Sequence, residues 1–300
     1  MSSRGYKSPF FGVFAGLILL QTGCAFAPSE DLCPPIKWRA GFLAQGDCIL
    51  TRSEVFGGHE WLTHIANQEL DYRDQFPEYE IDQVIEGNRR VDFPKELLVR
   101  LNNSIIDYTN ALLAYHDKPE NQPLHFLLDH RNDTRQAAAA AHELIRENTV
   151  RAFELWNENR VRALTLIGRS CHTIQDGYCE AHAWREPEAP SCVKQVKAYI
   201  PRDPGFEEGM LYHGGRSGDT VGHVTPQDSI YVEGRGCRAP EGERAVRECL
   251  RPFAWHAVYA TRDYLSLVSA LVQQRVADPD RAIDEFIDEH LTLCELKRVE

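Results

Sequence analysis

The chain has 300 residues, which is enough for one large domain or two small ones. Hydrophobic residues make up 43% of it, so a sizeable core is possible. The formal net charge of −12 argues against a protein that follows a nucleic-acid backbone, because that role needs a basic surface. The charge does not exclude an enzyme in which metal ions buried in a cleft bind the phosphate.

Residues 1–24 have the pattern of an export signal. Two basic residues precede the apolar run from Phe10 to Leu20, which is too short to span a bilayer comfortably. The small residue before Cys24 resembles a bacterial lipoprotein cleavage site, and a lipid on Cys24 would anchor the protein to a membrane surface. Ordinary signal cleavage near residues 25–27 is the alternative. We therefore expect an exported protein, either a cell-envelope lipoprotein or a secreted one.

Eight cysteines remain after Cys24. An even number of cysteines in an exported chain predicts up to four disulfides. No two of them have the C-x-x-C spacing that is typical of zinc sites. We therefore interpret the cysteines as structural and leave their pairing open.

An irregular arm is predicted for residues 25–52, followed by one helical domain over residues 53–297. Within this domain, apolar residues recur at the spacing of an α-helix in six segments. The predicted helices cover residues 55–70, 94–115, 133–156, 160–180, 250–275 and 279–295.

Loops are predicted around Pro77, as a helix breaker, and over residues 116–123. Residues 187–247 are rich in Gly, Pro and charge and have no sustained period, so they are predicted to form an irregular insertion. The sequence has no convincing strand-rich region and no internal repeat. The predicted fold class is all-α, a single-domain multi-helix bundle with an irregular insertion late in the chain.

A His–Asp–His trio is the first candidate for chemistry. His172 and Asp176 are four residues apart, so both project from one face of their helix. His182 follows six residues later and can turn towards the same cavity. An imidazole and a carboxylate one turn apart can ligate one zinc ion or bridge two. The alternative is a His–Asp hydrogen bond within the helix and an unrelated surface histidine.

Two familiar motifs are absent. The pair His59 and His64 resembles an H-E-x-x-H site but has one residue too many, which places its histidines about 140° apart around a helix. His142-Glu143 lacks a second histidine four residues on and is interpreted as a helix-surface pair.

The stretch LIGRSCHTIQD from Leu166 to Asp176, followed by His182, resembles the central motif of bacterial zinc-dependent phospholipases C. Those proteins and the related fungal zinc single-strand nucleases share an all-helical fold that holds three zinc ions. The resemblance covers residues 55–185 well and 210–275 loosely. Four other segments are similar to elements of this family, in the same order: Gly58–Leu62, Gly87–Asp92, His125-Phe126 with Asp129, and Gly222–Asp228.

The resemblance implies a helical bundle around a cleft that holds two or three zinc ions. The implied ligands of the first zinc are Asp92, His125, His172 and Asp176. Those of the second are His182 and His223, with Gln227 or Asp228 in place of the family's glutamate. Those of the third are His59 and a bridging oxygen of Asp176.

The chain also departs from the family pattern. The family completes its third zinc site with an N-terminal tryptophan, whereas here Trp38 lies 21 residues before His59 with no processing signal in front of it. Glu54 or His64 could supply the ligand that the tryptophan provides in the family. Gln227 is a weak ligand, because its amide is neutral. The segment between Asp92 and His125 is longer than in the family.

These residues predict phosphoryl chemistry. Clustered zinc ions lower the pKa of a bridging water to about 7 and so supply hydroxide at neutral pH. We expect that hydroxide near Asp92 and Asp176, the predicted catalytic residues, with Asp92 orienting the water or acting as general base. The zinc bound by His182 and His223, or the one at His59, would stabilise the leaving oxygen.

The expected function is a zinc-dependent phosphodiester hydrolase, foremost a phospholipase C that cleaves the glycerol–phosphate side of a phospholipid headgroup. Aromatic residues near the motifs, namely Tyr178, Trp184, Phe206 and Tyr212, suit a phosphoester beside acyl chains. A nuclease or 3′-nucleotidase is the alternative enzyme, with Tyr178 or Trp184 stacking a base. A non-catalytic secreted binding protein with an incomplete metal set is the third possibility. Nothing in the sequence indicates a nucleic-acid or protein partner.

Overall fold

The computed structural model describes residues 58–102, 107, 111, 114–116, 118–128, 133–180, 182–186, 189–198 and 242–295. Several predictions lie outside these residues, namely the export signal with Cys24, the arm at 25–52, Asp129, Phe206, Tyr212, His223, Gln227 and Asp228. No helix among the described residues is long and apolar enough to cross a membrane.

The described chain is mostly helical, which confirms the predicted all-α class. The α-helices are α1 (Gly58–Gln68), α2 (Glu78–Asp92), α3 (Thr134–Leu155), α4 (Arg160–Asp176), α5 (Gly242–Cys249), α6 (Pro252–Val272) and α7 (Pro279–His290). Two 3-10 helices cover Lys95–Asn102 and Pro119–His125. A two-stranded antiparallel sheet pairs β1 (Ala183–Glu186) with β2 (Ala189–Val196).

Most helix boundaries agree with the sequence patterns. Helix α3 begins at Thr134, one residue after the predicted start. The Asp133 carboxylate accepts a hydrogen bond from the backbone N–H of Gln136, and the Gln136 side chain accepts one from the N–H of Asp133. This reciprocal capping box satisfies two amide donors at the helix start. Helix α4 begins at Arg160 as predicted and ends at Asp176, four residues before the predicted end.

The predicted loop is present at residues 71–77, but helix α2, which follows it, was not predicted. Pro77 immediately precedes the helix, where its missing N–H costs no hydrogen bond. The predicted helix at 94–115 begins instead with the 3-10 helix Lys95–Asn102. The predicted loop at 116–123 contains most of the second 3-10 helix.

Both ends of the predicted irregular insertion are regular. Strand β2 lies at its start and helix α5 covers its last residues, while residues 199–241 lie outside the described structure. The hairpin is joined to the C-terminal end of the described chain by the disulfide Cys192–Cys294. Cys249 is also disulfide-bonded, whereas Cys171 is a buried thiol, so the eight cysteines do not all pair.

Helix α4 is the centre of the bundle, since it packs against α2, α3, α6 and the 3-10 helix Pro119–His125. Its contact with α2 is unusually close. A Cβ atom on Gly168 would lie 2.0 Å from the carbonyl oxygen of Val84, and one on Gly87 would lie 2.4 Å from the carbonyl oxygen of Thr165. The two backbones therefore touch, which only glycine permits.

We predict that Gly168→Ala destabilises the fold, because its new methyl group meets backbone atoms that cannot rotate away. Overpacking of this kind costs about 3 kcal/mol or more, which lowers the Tm of a domain of this size by roughly 6–12 °C. The matched control is Gly177→Ala, whose nearest neighbour would be the flexible Leu291 side chain at 3.0 Å. Thermal unfolding followed by circular dichroism compares the two variants. Equal Tm values would contradict the close backbone contact.

Candidate metal centre

Six of the predicted ligands lie within the described structure and converge on one buried point. They come from five parts of the fold and are only 0–5% exposed. They are His59 at the start of α1, Asp92 at the end of α2, His125 at the end of the second 3-10 helix, His172 and Asp176 on the last turns of α4, and His182 just before β1.

Local backbone structure positions His125 and His182. Phe126 directly follows His125 and adopts a left-handed backbone conformation with φ of 47°. That conformation is strained for a residue with a side chain, and its persistence indicates a constrained site. His182 is positioned by the turns after α4 and by the residue that follows β2. Its carbonyl accepts a 2.7 Å hydrogen bond from the N–H of Lys197.

Four ligand atoms surround a common point. Nε2 of His172 lies 3.1 Å from Oδ2 of Asp176 and 3.6 Å from Oδ1 of Asp92. Nδ1 of His125 lies 3.4 Å and 3.8 Å from the same two oxygens. The two histidine nitrogens are 3.2 Å apart.

Five of the six distances among these atoms are therefore 3.1–3.8 Å, which suits the ligands of one metal ion. Ligand atoms about 2.1 Å from a tetrahedral ion are separated from one another by about 3.4 Å. The four atoms belong to Asp92, His125, His172 and Asp176, the set that the resemblance assigns to the first zinc. The structure thus brings together residues that are up to 84 positions apart in the chain.

Asp176 also faces a second position. Its Oδ1 lies 3.3 Å from Nε2 of His59, while its Oδ2 faces His172 and His125. One carboxylate can therefore bridge two cations, as was predicted. Nδ1 of His182 lies 3.6 Å from Oδ2 and donates a hydrogen bond to the carbonyl of His125, which directs its other ring nitrogen away from Asp176.

An amide network orients the histidines on α1 and α4. The hydroxyl of Thr63 donates to the backbone carbonyl of His59 and accepts from the amide nitrogens of Asn88 and Gln175, each at 2.9 Å. Both amide oxygens must then point the other way. Oε1 of Gln175 accepts a 2.8 Å hydrogen bond from Nδ1 of His59. Oδ1 of Asn88 accepts one of 3.0 Å from Nδ1 of His172.

This network decides the role of the His172–Asp176 contact. Since Nδ1 of His172 carries the proton, a neutral ring has a lone pair on Nε2. Burial lowers the pKa of His172, and His59 lowers it further, which favours the neutral ring. The lone pair of the neutral ring faces a carboxylate oxygen at 3.1 Å, so a cation between the two atoms would stabilise this contact.

The Asp176 carboxylate carries negative charge in the protein interior. Burial alone would raise the pKa of Asp176, but the adjacent histidines, first of all His182, outweigh it and hold that pKa well below its usual range. Burial likewise opposes a charge on His59, yet Asp176 raises its pKa. Either a proton or a metal ion can therefore lie between His59 and Asp176.

Hydrogen bonding leaves the carboxylates incomplete. Within the described residues, three carboxylate oxygens lack a hydrogen bond of normal geometry. They are Oδ1 and Oδ2 of Asp176 and Oδ1 of Asp92. A buried carboxylate without such bonds is costly unless a cation neutralises it. Two groups of buried side chains can hold metal ions, each with its ligand atoms within 4.8 Å: His59, His172 and Asp176 in one, and Asp92, His116 and His125 in the other.

The second group contains a residue that sequence reasoning missed. His116 was assigned to a polar loop, and no spacing signal connects it with His125. Asn88 and Gln175 were also missed, although they lie four residues before Asp92 and one before Asp176.

His64, the substitute considered for the third zinc, contacts Glu243 at 3.3 Å and belongs to neither group. Glu54 lies outside the described residues. His142 is half-buried and donates to the carbonyl of Leu291, so it is more than a surface residue.

Comparison of the chain with models of protein families, with curated proteins and with solved structures finds no match.

We predict that Asp176→Asn abolishes metal binding, because the amide removes the charge that both metal positions share. A divalent ion at 100 times its Kd stabilises the wild type by about 2.7 kcal/mol, and the variant gains nothing at that concentration. The matched control is Asp263→Asn, since Asp263 also contacts a histidine, His290 at 3.4 Å, but belongs to neither metal group. Thermal shift with added Zn²⁺ measures both. Equal metal stabilisation of the two variants would show that the ligand assignment is wrong.

Proposed function

We propose that this protein is a zinc-dependent phosphodiester hydrolase of the phospholipase C type. The observation that carries the proposal is the convergence of Asp92, His125, His172 and Asp176 on one buried position, with Asp176 also facing His59. Two imidazoles and two carboxylates are a donor set that suits zinc in tetrahedral geometry. A carboxylate shared by two positions suits a multi-metal site, which is common in phosphoester hydrolysis.

The two carboxylates have different tasks in this proposal. When bound, zinc lowers the pKa of a water to about 7 and neutralises charge on the phosphate oxygens. Asp176 is fully buried and uses both oxygens to hold the cations. Asp92 is assigned the water, because it faces one metal position only and its side chain is 5% exposed, against 0% for Asp176. It would orient this water towards phosphorus and accept its proton as general base.

A phospholipid is the proposed substrate class, cleaved on the glycerol side of the phosphate. The sequence resemblance supports this choice. Trp184 lies two residues after His182 and is 48% exposed, so an apolar surface is available close to a proposed ligand. Tyr178 is buried, with its hydroxyl 3.1 Å from Nδ1 of His290, and this position is unsuited to stacking a nucleobase. Tyr178 is therefore ruled out as a base-stacking residue, whereas the exposed Trp184 suits either substrate.

Export to an oxidising compartment is part of the proposal. The disulfide Cys192–Cys294 and the disulfide-bonded Cys249 support it, because such bonds persist mainly outside the cytosol. Attachment to a membrane surface would depend on a lipid on Cys24.

We predict that His172→Ala removes zinc and hydrolysis together, because His172 supplies one of the four converging ligand atoms. The control is His142→Ala, which removes a half-buried histidine that is hydrogen-bonded to a backbone carbonyl. Elemental analysis gives the zinc content of each purified protein, and turnover is measured on phosphatidylcholine vesicles and on single-stranded DNA.

Two or three zinc ions with lipid hydrolysis in the wild type and the control, and neither in His172→Ala, supports the proposal. Cleavage of DNA instead of lipid would reassign the protein to the nucleases. Fewer than two zinc ions without turnover would identify a non-catalytic binding protein. Full zinc content with retained hydrolysis in His172→Ala would overturn the ligand assignment.

A further inference from the structure

His116 is a buried histidine with a partner at each ring nitrogen. It lies in the helical turn of residues 114–116 and is 1% exposed. Its Nε2 is 3.1 Å from the backbone carbonyl oxygen of Asp92. Its Nδ1 is 3.1 Å from Nε2 of His125. The residue therefore connects the backbone of one proposed zinc ligand with the side chain of another.

These two contacts fix where the protons lie. A carbonyl oxygen only accepts hydrogen bonds, so Nε2 of His116 carries a proton and donates it to Asp92. In a neutral imidazole the other nitrogen, Nδ1, is then an acceptor. Nδ1 of His116 must receive its hydrogen bond from His125, which places a proton on Nε2 of His125. The lone pair of His125 is consequently on Nδ1.

Nδ1 of His125 is the atom that faces the other proposed ligands of the first zinc. It lies 3.2 Å from Nε2 of His172, which also carries a lone pair, and 3.4 Å from Oδ2 of Asp176. Removing His116 removes the acceptor that holds the proton on Nε2 of His125. A proton on Nδ1 would point into the metal position and block it.

We propose that His116 is a positioning residue that holds His125 in the tautomer whose Nδ1 lone pair faces the metal. This inference rests on the proposed zinc site. Partners of this kind, which bond the second nitrogen of a ligating histidine, usually change metal affinity by 10–100-fold when they are removed.

Asp92 contacts both His116 and His125. Asp92 is the last residue of α2, where helix carbonyls lack partners within the helix and carry partial negative charge. Its carbonyl binds His116, while its carboxylate faces Nδ1 of His125 at 3.8 Å. The end of α2 therefore positions one ligand directly and a second ligand through His116.

Direct ligation by His116 is the competing assignment, since its ligand atom groups with those of Asp92 and His125. In that case Nδ1 of His116 and Nε2 of His125 would both bind the metal, and Nδ1 of His125 would carry a proton. Long-range ¹H–¹⁵N NMR of the imidazole rings separates the two assignments, because protonated, lone-pair and metal-bound nitrogens have distinct shifts.

The experiment uses His116→Phe, which keeps a ring but removes both hydrogen bonds, and His116→Asn, whose side-chain oxygen can replace the Nδ1 acceptor. His142→Phe is the matched control, because it removes another histidine that is bonded to a backbone carbonyl. Zinc affinity is measured by competition with a chromophoric chelator, and the NMR spectrum is recorded with and without zinc.

We expect His116→Phe to weaken zinc binding by about 10–100-fold, His116→Asn to recover most of that loss, and His142→Phe to leave the affinity unchanged. In the wild type, Nε2 of His125 should be protonated and Nδ1 metal-bound, whereas metal-free His116→Phe should show a mixture of tautomers. Metal-bound Nε2 of His125, metal-bound His116, or unchanged affinity in His116→Phe would overturn the inference. If His116→Phe does not fold, His116→Asn and the wild-type spectrum still decide it.

Failure of this inference is distinguishable from failure of the proposed function. A wild type that binds zinc and hydrolyses phosphodiesters, but through Nε2 of His125, overturns the role of His116 alone. A wild type that binds no zinc overturns the proposed function, while the tautomer of His125 is still measurable in the metal-free protein.

Discussion

Helices α2 and α4 meet backbone to backbone at Gly87 and Gly168, and the metal centre depends on that contact. The approach lets Asn88 on α2 reach His172 on α4, and it places Asp92, one turn further along α2, beside the same ring. A larger residue at either glycine would separate the helices and move one half of the ligand set away from the other. Packing in the core and geometry at the site are thus set by the same two residues.

The converging side chains of the candidate metal centre would destabilise the fold if no cation lay among them. Asp176 is fully buried, and its neighbours at hydrogen-bond range are histidine nitrogens, some of which present lone pairs rather than protons. Lone pairs and carboxylates that converge in a dry interior repel one another unless a positive charge lies among them. The surrounding amides of Asn88 and Gln175 contribute no such charge. They set which nitrogen of each ring is available.

The sequence was informative where the chemistry is local. His172 and Asp176 are one helical turn apart, and the order of the remaining motifs led to His59, Asp92 and His125, which the structure places around the same point. Helix α2 was missed because Pro77 was interpreted as a breaker, although proline at the boundary of a helix fits its start as well as its end. The hairpin was missed because β1 has only four residues and little alternation.

The partners of the ligands were beyond sequence reasoning for a different reason. Asn88 and Gln175 are 87 positions apart and meet only because α2 and α4 touch. His116 gains its role from two contacts, with a backbone carbonyl and with another ring, and neither contact leaves a periodic pattern in the sequence. Such residues become visible only after the hydrogen bonds of each ring nitrogen have been assigned.

The disulfide Cys192–Cys294 bears on the two predicted ligands that lie outside the described residues. It closes a covalent loop with a sequence separation of 102 residues, and the chain enters this loop beside a proposed ligand, because Lys197 is hydrogen-bonded to His182. His223 and Asp228, the expected further ligands, lie within that loop. Tethering a binding group at both ends raises its effective concentration at the site without any new contact. If His223 and Asp228 bind metal as the resemblance implies, oxidation of this cysteine pair, of which Cys192 is buried, favours completion of the site.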